Sequence, residues 1–470
     1  MAIIIKLVFL YYYLFIQTSS NTADINTWAR LTNDSFSYIT PFENLYTQGN
    51  YDPDFRMPGY GWLYFLLRFL FSKVLVLNLI PFIQLITASV SVYILALIGQ
   101  KIFKASIAFP IVFFLYAIQF NVSYYDAFIL TESFSLSALI FSFYFLISFN
   151  EKAYRLVLSG LFLTWAIFMK PVLLPLLGLF FLASILLTVK QLNLKFISLK
   201  NGLLFLSAFI CIEGIWIIRN YMHHREFFVL TKTMYVPAIN NTYQKSVFSF
   251  ARAAGFSQTG WEPESEFNYF LPLKAGSDIS KIKFNDDYFT SKFNSDSLKV
   301  VRNWIELYLK PDLSTHQKLI LDSLISAKLD AYTLSIKEEK PFHFYIGSRI
   351  KILKLFFGHT GVYNLFHRPT NLLSPFEKMV KAIFSLIYLS TVFFGLAGLF
   401  TTLIKNKVKI NAILFFVLTG LYLVFIHPLV MKMDEYRYIL PAFPFLVLAA
   451  ARLLLFLGEF FILNKKPIHE

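Results

Sequence analysis

Apolar runs of bilayer-spanning length recur at both ends of this chain, and they decide its solvent before anything else. About 20 consecutive apolar residues cross a membrane as a helix, because no other open structure satisfies its own backbone in lipid. The runs fall at residues 4–18, 74–99, 105–121, 130–148, 156–169, 172–189, 202–219, 380–404, 410–427 and 438–462. With 57% hydrophobic and only 15% charged residues, the composition is not that of a soluble domain. The expected fold class is an all-α polytopic membrane protein with about ten spanning helices, in a range of roughly eight to twelve. Residues 4–18 contain Lys6 in the manner of a signal peptide but lack a small-residue cleavage site, and are read as the first span. Residues 61–72, interrupted by Arg68, are too short to cross; they are expected to lie in the interface with Arg68 snorkelling to water.

Short loops set the orientation. With the N-terminus inside, QKIFK, NEKAYR, VKQLNLKFISLK, IKNKVK and the tail NKKPIHE face the cytoplasm, and all are basic, as the positive-inside bias requires. The opposite loops carry Asp126, Glu132, Lys170, Lys432, Asp434, Glu435 and Arg437, a mixed set. Both termini are thus expected in the cytoplasm and the site outside it, at the inner (cytoplasmic) membrane of a cell envelope. The expected organisation is a transmembrane module at 1–219 with a first external loop at 18–73, an external domain at 220–378 of mixed α/β or mostly α structure, and a second transmembrane module at 379–470. Residues 225–243 have the β-branched and aromatic content of extended chain. Residues 295–355 are helical in pattern, with a helix start near Asp312-Leu-Ser-Thr. Much of the net charge of +15 sits in the cytoplasmic loops, so no nucleic-acid partner is expected. The single cysteine, Cys211, excludes an intrachain disulfide and is read as packing.

Ionisable residues at the outer ends of the spans carry the chemistry. Asp34, in TNDSFSY, is a carboxylate at the membrane edge and the candidate catalytic base; the alternative is a helix cap in Asn-Asp-Ser. Asp126 and Glu132 are possible second acids, although Glu132 also suits a helix first turn. Lys170, Arg219 and Arg437 are placed to bind a phosphate, with interfacial anchoring or, for Arg437, a local pair with Asp434 as the plainer roles. Glu213 is read as a partner for Arg219, and His427 as a helix-end polar residue. A lipid phosphate carrying a sugar would put its phosphate among the cations and its sugar carbon before Asp34. The eight histidines show no zinc spacing, so no cofactor is predicted, with a divalent metal left open.

The order of these features resembles the GT-C glycosyltransferases, in the branch of the dolichyl-phosphate-mannose protein mannosyltransferases and the aminoarabinose lipid A transferase. The matching residues are Asp34 in the first external loop, then GNYDPDFRMPGY with its Arg56, Pro58, Gly59 and Tyr60, then Thr131-Glu132, GLFLTWAIFMKP, Arg219-Asn220 and EYRYILPAFP. Two departures stand out: Lys170 replaces an Arg, keeping the cation but losing its fork, and Asn33-Asp34 stands where relatives have two adjacent acids. The resemblance implies an inverting transfer of a monosaccharide from a polyprenyl-phosphate-linked donor, undecaprenyl phosphate included, to a glycan, lipid or protein acceptor at the external face. Membrane lipids are the other implied partner. The competing readings are a lipid-linked sugar flippase or transporter, a GT-C-like polysaccharide polymerase or ligase, and a catalytically dead relative that only binds lipid-linked sugar. A transport pathway would place its charges near the membrane midplane, whereas most of these lie at one face.

Overall fold

The computed structural model describes the chain except for residues 14–26, 28, 54–55, 150–151, 193–194, 232–241, 259–264, 273–278, 367–369 and 464–470. Among the described residues the fold is helical, with two isolated bridges as the only β pairing. In chain order the helices are α1 (Ala2–Tyr11), α2 (Asn33–Gln48), α3 (Gly61–Arg68), α4 (Lys73–Phe103), α5 (Ala108–Ala117), α6 (Phe120–Tyr124), α7 (Glu132–Ile147), α8 (Ala153–Met169) and α9 (Pro175–Leu192). They continue as α10 (Lys195–His224), α11 (Thr242–Ala254), α12 (Ser295–Tyr308), α13 (Thr315–Glu339), α14 (Ser348–Gly358), α15 (Pro375–Asn406), α16 (Ala412–Phe425) and α17 (Phe443–Leu463).

Two compact units emerge. The first comprises Met1–Tyr235, Thr360–Leu423 and Leu440–Glu470, and the second Val236–His359 with Val424–Ile439. The protein is multi-pass, but among the described residues the span count differs from the expected ten. Five helices are long and apolar enough to cross: Lys73–Phe103, Leu199–His224, Pro375–Asn406, Ala412–Met431 and Tyr436–Gly458. A sixth is added if Ala108–Ala117 and Phe120–Ala127, bent by 52°, count as one. The difference has physical causes. The apolar stretches that become α7 and α8 end after 16 and 17 helical residues, short of a full crossing, while residues 14–18 of the expected first span lie outside the described residues. Pro171 stops α8 after Lys170. At the bend after α5, the Gln119 side chain donates to the Leu115 carbonyl at 2.9 Å while its backbone N–H turns to Tyr116. The side-chain amide thus occupies the acceptor that the next helical turn would use.

In the first unit α15 packs on α17, α7 on α8, α10 on α8 and α9, and α4 on α5, α7 and α1. The α15–α17 crossing is close because Gly398 lies against the backbone of Ala449; a Cβ there would stand 2.1 Å from the Ala449 carbonyl oxygen. Cys211 lies exposed on α10 and not in packing. Arg68 does not snorkel free: it pairs with Glu43 at 2.9 Å and donates to the Phe71 carbonyl. Burial pushes the Glu43 carboxyl up, but hydrogen bonds from Arg68 and Tyr64 outweigh it and hold the group below its usual range.

The second unit has its own core, in which Phe250 and Phe256 of the α11 region meet Phe270, Phe293, Val301, Ile325, Leu329 and Tyr332. Its α13 starts where Ser314 caps the helix, with Gln317 reaching back to complete a capping box. Of the stretch expected to be extended, residues 226–231 form no strand, residues 232–241 lie outside the described residues, and Thr242 already begins α11.

The Gly398 contact gives a stability prediction. Gly398→Ala should lower thermal unfolding stability by about 1–3 kcal/mol, since a backbone carbonyl must give way. Gly178→Ala on α9, where a Cβ meets nothing within 4 Å, should be neutral or slightly stabilising when melted in the same lipid.

Candidate active site

The start of α2 is fixed by a short parallel bridge. The Arg30 N–H donates to the Ala127 carbonyl at 3.1 Å, and the Arg30 carbonyl accepts from Ile129 at 3.0 Å. Four residues beyond each bridged position lies a first-turn acid, Asp34 on α2 and Glu132 on α7. The cap of α2 is Thr32, in a capping box with Ser35, so Asp34 is not the capping residue. Gly49 ends the helix at φ +70°, a left-handed turn that sends the chain into residues 50–60.

That returning segment holds the acid. Arg56 Nη2 meets Asp34 Oδ1 at 2.7 Å, while its Nε and Nη1 reach Ser37 Oγ at 2.9 Å and the Tyr38 hydroxyl at 2.8 Å. Asp34 keeps 37% of its side chain exposed. Beyond Arg56, Pro58-Gly59-Tyr60 is pinned to the end of α8. Trp165 Nε1 donates to the Gly59 carbonyl at 2.9 Å, and a Cβ on Gly59 would lie 2.6 Å from the Phe168 backbone, so only glycine fits this approach. The Tyr60 hydroxyl donates to Gln84 on α4 at 2.8 Å. Burial, with help from Glu132 and Tyr38, raises the Tyr60 phenol well above its usual value, so it stays a donor. At the other end of the segment Arg219 donates to the Tyr51 carbonyl and lies over the Tyr51 and Trp216 rings.

Other predicted site residues lie in ion pairs of this unit, Lys170 with Glu132 and Asp126 with Lys6. Lys170 pairs with Glu132 at 2.9 Å. Asp126 pairs with Lys6 at 2.7 Å, both side chains being 1% exposed, and accepts from Ser133 at 2.5 Å. Gln84 Nε2 covers the carbonyls of Tyr125, Asp126 and Phe128 where the backbone leaves its helix. Glu213 accepts the Leu230 N–H at 2.7 Å, not Arg219. Among the described residues Arg219 makes no ion pair, although Asp52 lies within electrostatic reach.

Arg437 belongs to the second unit, where it pairs with Glu435 at 2.6 Å; Asp434 instead accepts the Gln258 N–H at 3.0 Å. His427 stacks on Tyr438 with ring centroids 4.6 Å apart. The structure therefore ties Asp34, Arg56, Gly59 and Tyr60 to the helix ends that carry Lys170 and Arg219, and it buries Asp126 and Glu132 in ion pairs. Among the described residues no three of His, Cys, Asp and Glu converge on a possible metal site. Lys6, Gln84 and Trp165 escaped the sequence reading. Lys6 looks there like a charged flank, while Gln84 within an apolar span was a legible signal, since a polar residue at membrane depth needs partners.

No family model and no curated protein matches the sequence. Solved structures of the Archaeoglobus fulgidus oligosaccharyltransferase are similar at 12% identity. The archaeal oligosaccharyltransferase AglB in complex with an inhibitory peptide and a dolichol-phosphate covers 100% of this chain at a TM-score of 0.45. The enzyme tethered to an acceptor peptide containing the NVT sequon covers 99% at 0.45, and its apo form 98% at 0.40. This chain spans about half the length of each, between 50% and 52%.

Removing one member of the deepest ion pair tests the packing around this site. Lys6→Met should destabilise the protein by about 3–5 kcal/mol, because it strands a buried carboxylate. Adding Asp126→Asn should recover most of the loss in thermal melts.

Proposed function

We propose that this chain is an inverting glycosyltransferase that moves a monosaccharide from a polyprenyl-phosphate-linked donor to an acceptor hydroxyl at the external membrane face. The observation that carries the reading is the partly exposed Asp34 carboxylate, fixed by Arg56 in a segment that is itself bonded to Arg219 and packed on the α8 end beside Lys170. Motif order supports the same reading, since the Arg-x-Pro-Gly-Tyr run that the glycosyltransferase resemblance rests on is the part that makes these contacts.

In this mechanism the acceptor hydroxyl gives its proton to Asp34 as its oxygen bonds to the anomeric carbon. The bond from that carbon to the phosphate oxygen breaks on the opposite face, and its electron pair leaves with the polyprenyl phosphate. A phosphate departs well without protonation, so one carboxylate suffices where hydrolases use two. Arg219 is the natural phosphate ligand, because its guanidinium meets a carbonyl, an amide oxygen and the His224 ring while its charge has no ion-pair partner among the described residues. Lys170 contributes only by sharing itself between Glu132 and the phosphate. Arg56 is a positioning residue, since it acts through Asp34.

Purified protein in native-like lipid, offered labelled polyprenyl-phosphate sugars and membrane extracts as acceptors, should transfer label. Asp34→Asn should melt like the wild type and lose at least roughly 10²-fold in transfer rate. Labelled lipid that crosses the bilayer without transfer would overturn the enzyme reading in favour of a flippase. Transfer that survives the substitution would remove Asp34 as the base.

A further inference from the structure

Glu213, Trp216 and Arg219 follow one another at intervals of three residues on α10, so each is a neighbour of the next along the helix surface. The chain that leaves α10 turns back onto them. The Leu230 N–H donates to Glu213 Oε1 at 2.7 Å, and the Leu230 carbonyl accepts from Trp216 Nε1 at 2.6 Å. Both backbone polar groups of one residue are thus taken by side chains of the helix. Leu230 is buried and holds φ +59°, the left-handed region that a residue with a Cβ rarely adopts. Such a conformation persists where its surroundings over-determine it, as these two hydrogen bonds and the buried leucine side chain do.

What the turn fixes is the rotation of the Trp216 indole. An indole has one donor, and bonding it to a carbonyl that is itself held sets which way the ring faces. The ring centroid lies 5.3 Å from the Arg219 guanidinium carbon, as does that of Tyr51, and the two rings are 6.5 Å apart at 73°. Arg219 therefore sits over a notch between two rings, with Nη1 at Asn220 Oδ1 and the His224 ring and Nη2 on the Tyr51 carbonyl. Attraction to ring faces holds a guanidinium without placing a counter-charge on it, as a carboxylate would. A long side chain that is already held loses less freedom when it grips an anion. We propose that Trp216 is a positioning residue for Arg219, oriented by the Leu230 turn so that the guanidinium is preorganised for the phosphate of the lipid-linked donor. This role rests on Arg219 being the phosphate ligand of the transfer reaction, and Trp216 acts through it without touching substrate.

The full chain, labelled with fluorotryptophan, is placed in phosphatidylcholine nanodiscs with increasing mole fractions of polyprenyl phosphate and followed by fluorine NMR and thermal melting. The Trp216 resonance, identified by its loss in Trp216→Phe, should move as polyprenyl phosphate is added to the wild type and stay in place in Arg219→Gln. Apparent affinity is read from the rise in melting temperature with ligand. Trp216→Leu, which removes the ring, should weaken binding roughly two- to twelvefold, the cost of immobilising one long side chain. Trp216→Phe, which keeps a ring face without the N–H, should fall between Trp216→Leu and the wild type, and it carries the comparison alone if the leucine variant does not fold. Lower ligand-free melting temperatures with wild-type affinity in the Trp216 variants would overturn the positioning role while leaving Arg219 as the ligand. Binding that survives Arg219→Gln would instead remove Arg219 as the phosphate ligand, and the role of Trp216 with it.

Discussion

The buried pair of Lys6 and Asp126 holds the first unit in register. It joins the first helix to the broken segment after α5, at a depth where neither charge could stay alone. Once Asp126 is fixed, the backbone around it is irregular, and irregular backbone in an apolar setting needs donors. Gln84 supplies them to three carbonyls with one amide group and accepts the Tyr60 hydroxyl with its oxygen. One polar side chain on a long spanning helix thus connects the broken segment to the loop whose Arg56 holds Asp34.

That loop is held by contacts of unlike kinds, which constrains it more than any one of them would. Arg56 reaches Asp34, Ser37 and Tyr38 on α2 with its three nitrogens, Trp165 fixes Gly59 by hydrogen bond and close approach, and Arg219 anchors Tyr51 through the backbone and the ring face. Positioning of this sort is what a transferase needs if one carboxylate is to meet an acceptor without rearranging. It also separates the cations by their state. Lys170 and Arg437 each sit on a carboxylate, whereas Arg219 meets the Tyr51 carbonyl, the Asn220 amide oxygen and the His224 ring, so of these three cations it is the one with no ion pair among the described residues.

The helices were legible because apolar composition over long windows is hard to mistake. Their lengths were not, because composition reports apolarity and not unbroken hydrogen bonding: Gln119 interrupts a run that still counts as apolar. Asp34 could be singled out as an acid next to a span, but its partner Arg56 lies 22 positions away through a turn whose path the sequence does not declare. Asp126 and Glu132 look alike in sequence, as acids near one span. Their difference lies in partners far along the chain, Lys6 for the first and Lys170 for the second. For the pair with Asp434 that was the plainer role of Arg437, Glu435 stands instead, since the two acids are sequence neighbours and only the turn geometry decides which faces the guanidinium.

The proposed chemistry is a single displacement at the anomeric carbon, assisted by one carboxylate. The measurement that tests it most directly is the anomeric configuration of the product, read by NMR from a donor of known configuration after transfer by the purified protein. Inversion is expected in every turnover and with each acceptor used. Retention would contradict it, since it would require a covalent sugar–enzyme intermediate or a second displacement that one acid held by Arg56 does not provide.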